Sequence, residues 1–243
     1  MSENRLETLL QTGFTDCLGE RGRRLLARRA LLKSAGEKPV HGLPTAWWFA
    51  VPGERYEGLF EALDLHDRMP VTLREGVNVA DLPSRPGTAL VFVTPELDGW
   101  RLIYGGLESV IGYSWDGMMD AVRRLSRRCG EAQMFLEDIA GGADIWVVAE
   151  EGHIKRRYAR ESDPEWVGDP LPWETRAVDD EDFDPEFDEA EPNEGTESAM
   201  SACEYLSVHP SIDADTRIRG HGWLTLSAPD VGHEGLVVLA RSR

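Results

Sequence analysis

The chain has 243 residues, 41% of them hydrophobic, with eight tryptophans, enough to bury one sizeable core. Its formal net charge of -18, from 44 acidic and 26 basic side chains, argues against a nucleic-acid or anionic-membrane partner, because phosphates reward lysine and arginine. Cys17, Cys129 and Cys203 are far apart and show no CxxC or Cys/His ligand spacing, so they read as reduced thiols rather than a disulfide framework or a metal motif.

The opening "MSENRLETLL" has no apolar h-region, and no run approaches the roughly 20 apolar residues that span a bilayer. A cytoplasmic protein without a membrane segment is the expectation. Leu6, Leu9, Leu10, Phe14, Cys17 and Leu18 recur at spacings of three and four, predicting a first helix over 3–18. "RGRRLLARRALLKSAGEK" predicts a second, carrying Arg23, Arg24, Arg28, Arg29 and Lys33, with Gly36 as its C-cap. This basic cluster has no interleaved aromatics of the kind single-strand readers need, so a solvated face or a protein contact fits it better than nucleic acid.

"PTAWWFAVP" predicts a strand, and "YEGLFEALDLHDRM" a short helix with Leu59, Phe60, Leu63 and Leu65 inward, stopped by Pro70. "LPSRPG" is a loop. Ala89 to Thr94 and Trp100 to Tyr104 predict a hairpin turning at Asp98-Gly99. "SWDGMMDAVRRLSRRCGE" predicts a helix with Trp115, Met118, Met119, Val122 and Leu125 on its apolar stripe, ended by Gly130. "EAQMFLED" is a strand, and Ile145 to Ala149 with His153 to Tyr158 a second hairpin. The resulting order, β-β-α-β-β-β, predicts an antiparallel sheet with helices packed on one face. "ESDPEWVGDPLPWE" reads as an irregular segment leaving the sheet and pinned by Trp166 and Trp173. A helix through Met200, Cys203 and Leu206 and two strands, "TRIRGHGWLTLSAP" and "GLVVLARSR", close the chain.

Between them lies "DDEDFDPEFDEAEPNEGTE", Asp179 to Glu197, with eleven acidic residues in nineteen. It carries the bulk of the net charge and leaves about -7 to the rest, an ordinary value for a soluble domain. Composition, Pro185 and Pro192 favour a flexible linker. Phe183 and Phe187, four apart in the negative field, instead suggest anchors for gripping a basic partner, and Trp166 and Trp173 lie just upstream. The basic helix offers a partner within the chain itself.

Chemistry-bearing motifs are sparse. No GxGxxG, GxxxxGK[ST] or GxSxG occurs, so no nucleotide cofactor or nucleophile elbow is indicated. His221, His233 and Glu234 sit beside glycines at strand ends and form the best available metal or acid/base constellation, although their spacing matches no established motif. Cys129 lies beside Arg127 and Arg128, which would lower a thiol's pKa, but no histidine is near it in sequence. Asp116 is explained by the first turn of its helix.

The stretches "ALVFVTPELDGWRLIYGG", "VRRLSRRCGEAQMFLED" and "WVVAEEGHIKRRYA", with the tail "DADTRIRGHGWLTLSAP", resemble actinobacterial proteins of unassigned function, and in particular small immunity proteins and gene-cluster accessory proteins. The resemblance implies a protein that binds and blocks a partner without catalysis, and it assigns no residue a role.

The expectation is an α+β chain in four parts: an N-terminal helical pair (1–40), a main α+β domain (41–176), an acidic linker or insertion (177–197), and a C-terminal helix and strands packed on the main domain (198–243). The expected function is recognition of a basic protein through Asp179, Asp180, Asp182, Phe183, Asp184, Phe187 and Asp188, with Trp166 and Trp173. No catalytic residue, metal ligand or cofactor is assigned, and neither nucleic acid nor membrane is an expected partner. The alternative is a small bacterial enzyme or biosynthetic accessory protein using His221, His233 and Glu234. A third reading is self-association through the N-terminal helices and Trp47 and Trp48.

Overall fold

The computed structural model describes residues 20–35, 46–80, 87–138, 141–161, 163–174, 196–212 and 214–229. The predicted first helix, the final strand "GLVVLARSR" and the acidic run up to Gly195 lie outside them.

The centre of the fold is β1 (Trp47–Pro52), which reads WWFAVP and is buried from Trp47 to Val51. A run that is apolar at successive positions has nothing to show to water on either side, so it must lie inside a sheet covered on both faces. β1 pairs antiparallel with β5 (Trp100–Gly105) on one side and β6 (Glu131–Asp138) on the other. From there the sheet extends through β7 (Ala143–Glu150), β8 (His153–Arg160) and β9 (Pro164–Val167). In the other direction it runs through β3 (Leu90–Val93) and β11 (Gly222–Leu226) to β2 (His66–Val71). Every pairing is antiparallel, and β4 (Glu96–Leu97) joins β5 to the two-residue β10 (Ile218–Arg219).

Alternation along each strand divides the core in two. Trp48, Leu102, Tyr104, Phe92, Trp146 and Tyr158 point to one face, and Phe49, Val51, Ile103, Val91, Met134 and Val147 to the other. On the second face lies α5 (Trp115–Cys129), with α2 (Leu59–Ala62) and α4 (Leu107–Ile111) beside it. Ser114 caps α5, its Oγ accepting from the Gly117 amide, and the predicted stripe Met118, Met119, Val122 and Leu125 is buried. Helices cover the first face as well: α3 (Leu73–Ala80) packs over β3 and β11, and α6 (Ala199–Leu206) over β6 and β7. The protein is therefore an α+β antiparallel sheet, with helices on the predicted face and on its opposite. Among the described residues no helix is long and apolar enough to cross a membrane.

Four local differences from expectation have physical causes. The helix predicted over 56–69 is a 3-10 turn (Tyr56–Gly58) followed by the four-residue α2. It stops where Asp64 takes a left-handed φ of 53°, and His66 onward becomes β2. Pro70 sits inside β2 rather than ending a helix, which is tolerated because β2 is the edge of the sheet. α3 was not anticipated, yet Thr72 and Glu75 cap it reciprocally: Thr72 Oγ1 accepts from the Glu75 amide and Glu75 Oε2 from the Thr72 amide, both at 3.1 Å. Finally, the Pro-rich stretch after β8 stays in the sheet as β9, with Trp166 opposite Tyr158.

Trp47 and Trp48 are 8% and 0% exposed, which corrects their assignment to a self-interface. α1 (Glu20–Ser34) packs on β2 through Leu26 and Ala30, and Arg29 Nη2 and Lys33 Nζ each lie 3.0 Å from Glu75 Oε1. Burial alone would raise the Glu75 carboxyl, but Arg29, the Thr72 amide and Lys33 outweigh it and hold the group below the usual glutamate range.

Candidate functional site

The acidic run leaves and re-enters the fold at one place, the indole of Trp146. β7 and β8 turn through Glu151 and Gly152, both left-handed at φ 48° and 87°, and this tight hairpin puts Trp146 opposite Tyr158. Trp146 is fully buried and contacts Tyr158, Trp166 and Trp173, at ring separations of 6.3, 5.9 and 5.5 Å. Trp173 in turn stacks on Tyr205 of α6, at 4.9 Å and 7° between planes.

The upstream anchor is Glu174. Its carboxylate accepts from Arg156 Nε at 2.9 and 3.1 Å and from Nη2 at 2.6 Å, and it also accepts from the Leu171 amide at 2.9 Å. The two side chains are 8% and 5% exposed, so the pair is buried, and the Arg156 guanidinium lies 4.6 Å from the Trp166 ring centre. Arg156 Nη1 also donates to the Gly168 carbonyl. Gly168 has φ 88°, and a Cβ there would lie 2.0 Å from the Lys155 carbonyl oxygen, so only glycine lets the chain turn back over β8.

The downstream anchor is Thr196, 5% exposed, whose carbonyl accepts from Trp146 Nε1 at 2.7 Å. Ser198 then caps α6 by accepting from the Ser201 amide, and Asp144 Oδ1 accepts from the Ala199 amide at 2.6 Å. Burial pushes the Asp144 carboxyl up, against the pull of the Ala199 amide and Arg160. Gln133 Nε2 donates to the Leu206 carbonyl and closes the other end of α6. Both ends of the run are thus held by buried polar contacts around one aromatic cluster. Thr196, counted in the insertion by sequence, belongs to the anchor.

Trp166 and Trp173 each contact Trp146 and are partly buried, so they stitch the segment to the sheet. Asp179, Asp180, Asp182, Phe183, Asp184, Phe187 and Asp188 lie outside the described residues. The sequence reading missed Arg156, Glu174 and Trp146. The only available signal was an acid directly after "LPW" and a tryptophan within a strongly apolar strand.

The histidine constellation is only partly described, since His233 and Glu234 lie outside. The His221 ring meets Trp223 edge-on at 4.6 Å, and its Nδ1 lies 2.9 Å from the Gly222 carbonyl oxygen, which requires the hydrogen on Nδ1. Burial depresses its pKa, against the pull of the Gly222 carbonyl, and so favours the neutral ring. Next to it the 6% exposed Arg101 donates from Nη1 to the Thr94 and His221 carbonyls and stacks on Tyr56 at 3.9 Å. Among the described residues no group of three or more His, Cys, Asp or Glu is placed to hold a metal ion.

A groove of about 350 Å³ is lined by Arg55, Arg217 and Arg219 with Glu54, Glu96 and Asp98. Its charges largely cancel: Arg217 pairs with Asp98 at 3.1 Å and Arg219 with Glu96 at 3.7 Å. Burial pushes the Cys129 thiol up to about 11, with Arg55 only partly opposing, and the Cys203 thiol up to about 12, so neither is a thiolate at neutral pH.

No family model, curated protein or solved structure matches the chain.

Proposed function

We propose that this protein binds another protein without catalysis, as an immunity- or inhibitor-type protein of the bacterial cytoplasm. It recognises a basic partner through the acidic-aromatic run, with Phe183 and Phe187 as anchors. The observation that carries this reading is that both ends of the run are held beside one aromatic cluster, Glu174 by the buried Arg156 and Thr196 by the Trp146 indole. A plain linker between two units needs no such closure, whereas a segment whose two ends are fixed side by side tethers the ten carboxylates of residues 175–195 to one part of the fold. Concentrated charge of one sign speeds encounter with a partner of the other, and the aromatics supply contact area once water is expelled.

The test is capture of partners by the intact chain and by a chain in which residues 179–194 are replaced by a Gly/Ser sequence of equal length, which spares both anchors. The reading requires a basic protein held by the first and lost by the second, at unchanged thermal stability. Identical captures would sink it.

A further inference from the structure

α1 presents a face that nothing in the described structure covers. Leu26 and Ala30 face β2, and Arg29 and Lys33 turn to Glu75. The opposite side carries Arg21, Arg28 and Leu32 at helical spacing, with Leu31 beside them. Leu32 is 69% exposed, the most of any large apolar side chain among the described residues, and Leu31 is 46% exposed. Arg21 and Arg28 are exposed and form no ion pair among those residues. Two arginines would suffice for solubility without two adjacent leucines in water, so the stripe has the make-up of a docking surface for something acidic and apolar together.

We infer that this stripe docks the acidic-aromatic run, Asp179 to Glu191, of a second copy of the chain. The match is specific in chemistry: arginines to the carboxylates, Leu31 and Leu32 to Phe183 and Phe187. Chain length favours the second copy over the same one. α1 packs on β2, six strands from β7 in the order β2-β11-β3-β5-β1-β6-β7, a separation of about 29 Å at ~4.8 Å per strand. Glu174 to Phe183 and Phe187 to Thr196 are nine residues each, a span of at most about 30–32 Å when fully extended. Reaching its own helix would stretch both arms to their limit and cost them nearly all their conformational freedom. In an exchange between two copies the sheet no longer fixes that distance, and the arrangement closes as a two-fold pair, the run of each on the helix of the other. The inference rests on the same run as the proposed function and adds its regulation: self-association hides the run, and a basic partner competes with α1 for it.

The experiment is solution mass by sedimentation, with two surface variants. The intact chain is expected to be a dimer at about 0.05 M salt and a monomer at about 0.5 M, where the Debye length falls from roughly 14 Å to roughly 4 Å. Arg21→Glu/Arg28→Glu, and separately the Gly/Ser replacement of 179–194, should each be monomeric at low salt. Mixed together, the two should form a one-to-one complex, because one supplies the run and the other the helix. A monomer under all conditions, or a dimer that survives Arg21→Glu/Arg28→Glu, would overturn the inference. Partner capture by Arg21→Glu/Arg28→Glu keeps the two ideas separate. Capture that persists without dimerisation supports the function, while a salt-sensitive dimer that captures nothing supports the docking alone.

Discussion

Glu174→Ala is the sharpest perturbation of the anchoring scheme. The substitution removes the carboxylate from a pair whose side chains are 8% and 5% exposed. Arg156 keeps the Gly168 carbonyl and the face of Trp166, but its charge stays buried with no counter-charge. Removing one partner of a buried pair costs about 3–5 kcal/mol, and the surviving contacts place this case near 3. For a chain of this size that lowers Tm by about 6–12 °C. Arg156→Met/Glu174→Leu removes both charges and fills the space, so it should recover most of the loss. Thermal unfolding by circular dichroism measures the stability, and hydrogen exchange at the β8 amides facing β9 shows whether the loss is local or global. A decrease below about 1 kcal/mol, as for an exposed pair, with unchanged β8 protection would refute the argument that this pair pins the run.

Three further outcomes follow from the same geometry. Glu75 holds α1 to α3, and its pKa is lower in the folded chain than in the unfolded one. Its contribution is therefore complete above the unfolded value of about 4.5 and is lost as pH falls through the lower folded value, so the stability gap between wild type and Glu75→Gln should narrow as pH falls below that value in thermal melts. In a Cys17→Ser background, Cys129 and Cys203 should resist a thiol reagent at pH 8 until the chain is unfolded, since burial pushes both thiols up, to about 11 and about 12; rapid labelling of the native chain would contradict this. Gly168→Ala should release β9 and weaken the Trp166 contacts, seen as a red shift of tryptophan emission, because the added Cβ meets the Lys155 carbonyl at 2.0 Å.

What could be read from the sequence was local. α5 was legible because its apolar stripe, its serine cap and its terminal glycine agree, and both hairpins because Asp98-Gly99 and Glu151-Gly152 take left-handed conformations in tight turns. β2 and β9 were obscured by Pro70 and Pro164, which suggest breaks but are accommodated at the outer strands of the sheet. α3 carried a legible cap in Thr72 and Glu75 that its short, weakly apolar stretch disguised. The insertion of β11 between β2 and β3 pairs residues more than a hundred positions apart, for which no local pattern exists. The site shows the same division. The acid of 179–197 is plain in composition, but its meaning depends on where its ends are held. Arg156 reaches Glu174 across 18 positions and Trp146 reaches Thr196 across 50, and only the folded sheet brings them together.

In the proposed function charge, rather than length or mere presence, makes the pinned run a binding element. It is tested most directly by converting every Asp and Glu from 179 to 194 to Asn and Gln and repeating partner capture at about 0.05 and about 0.5 M salt. A basic protein should be held by the native chain at low salt, more weakly at high salt, and by the neutral run at neither. The same protein held equally by both chains would contradict it.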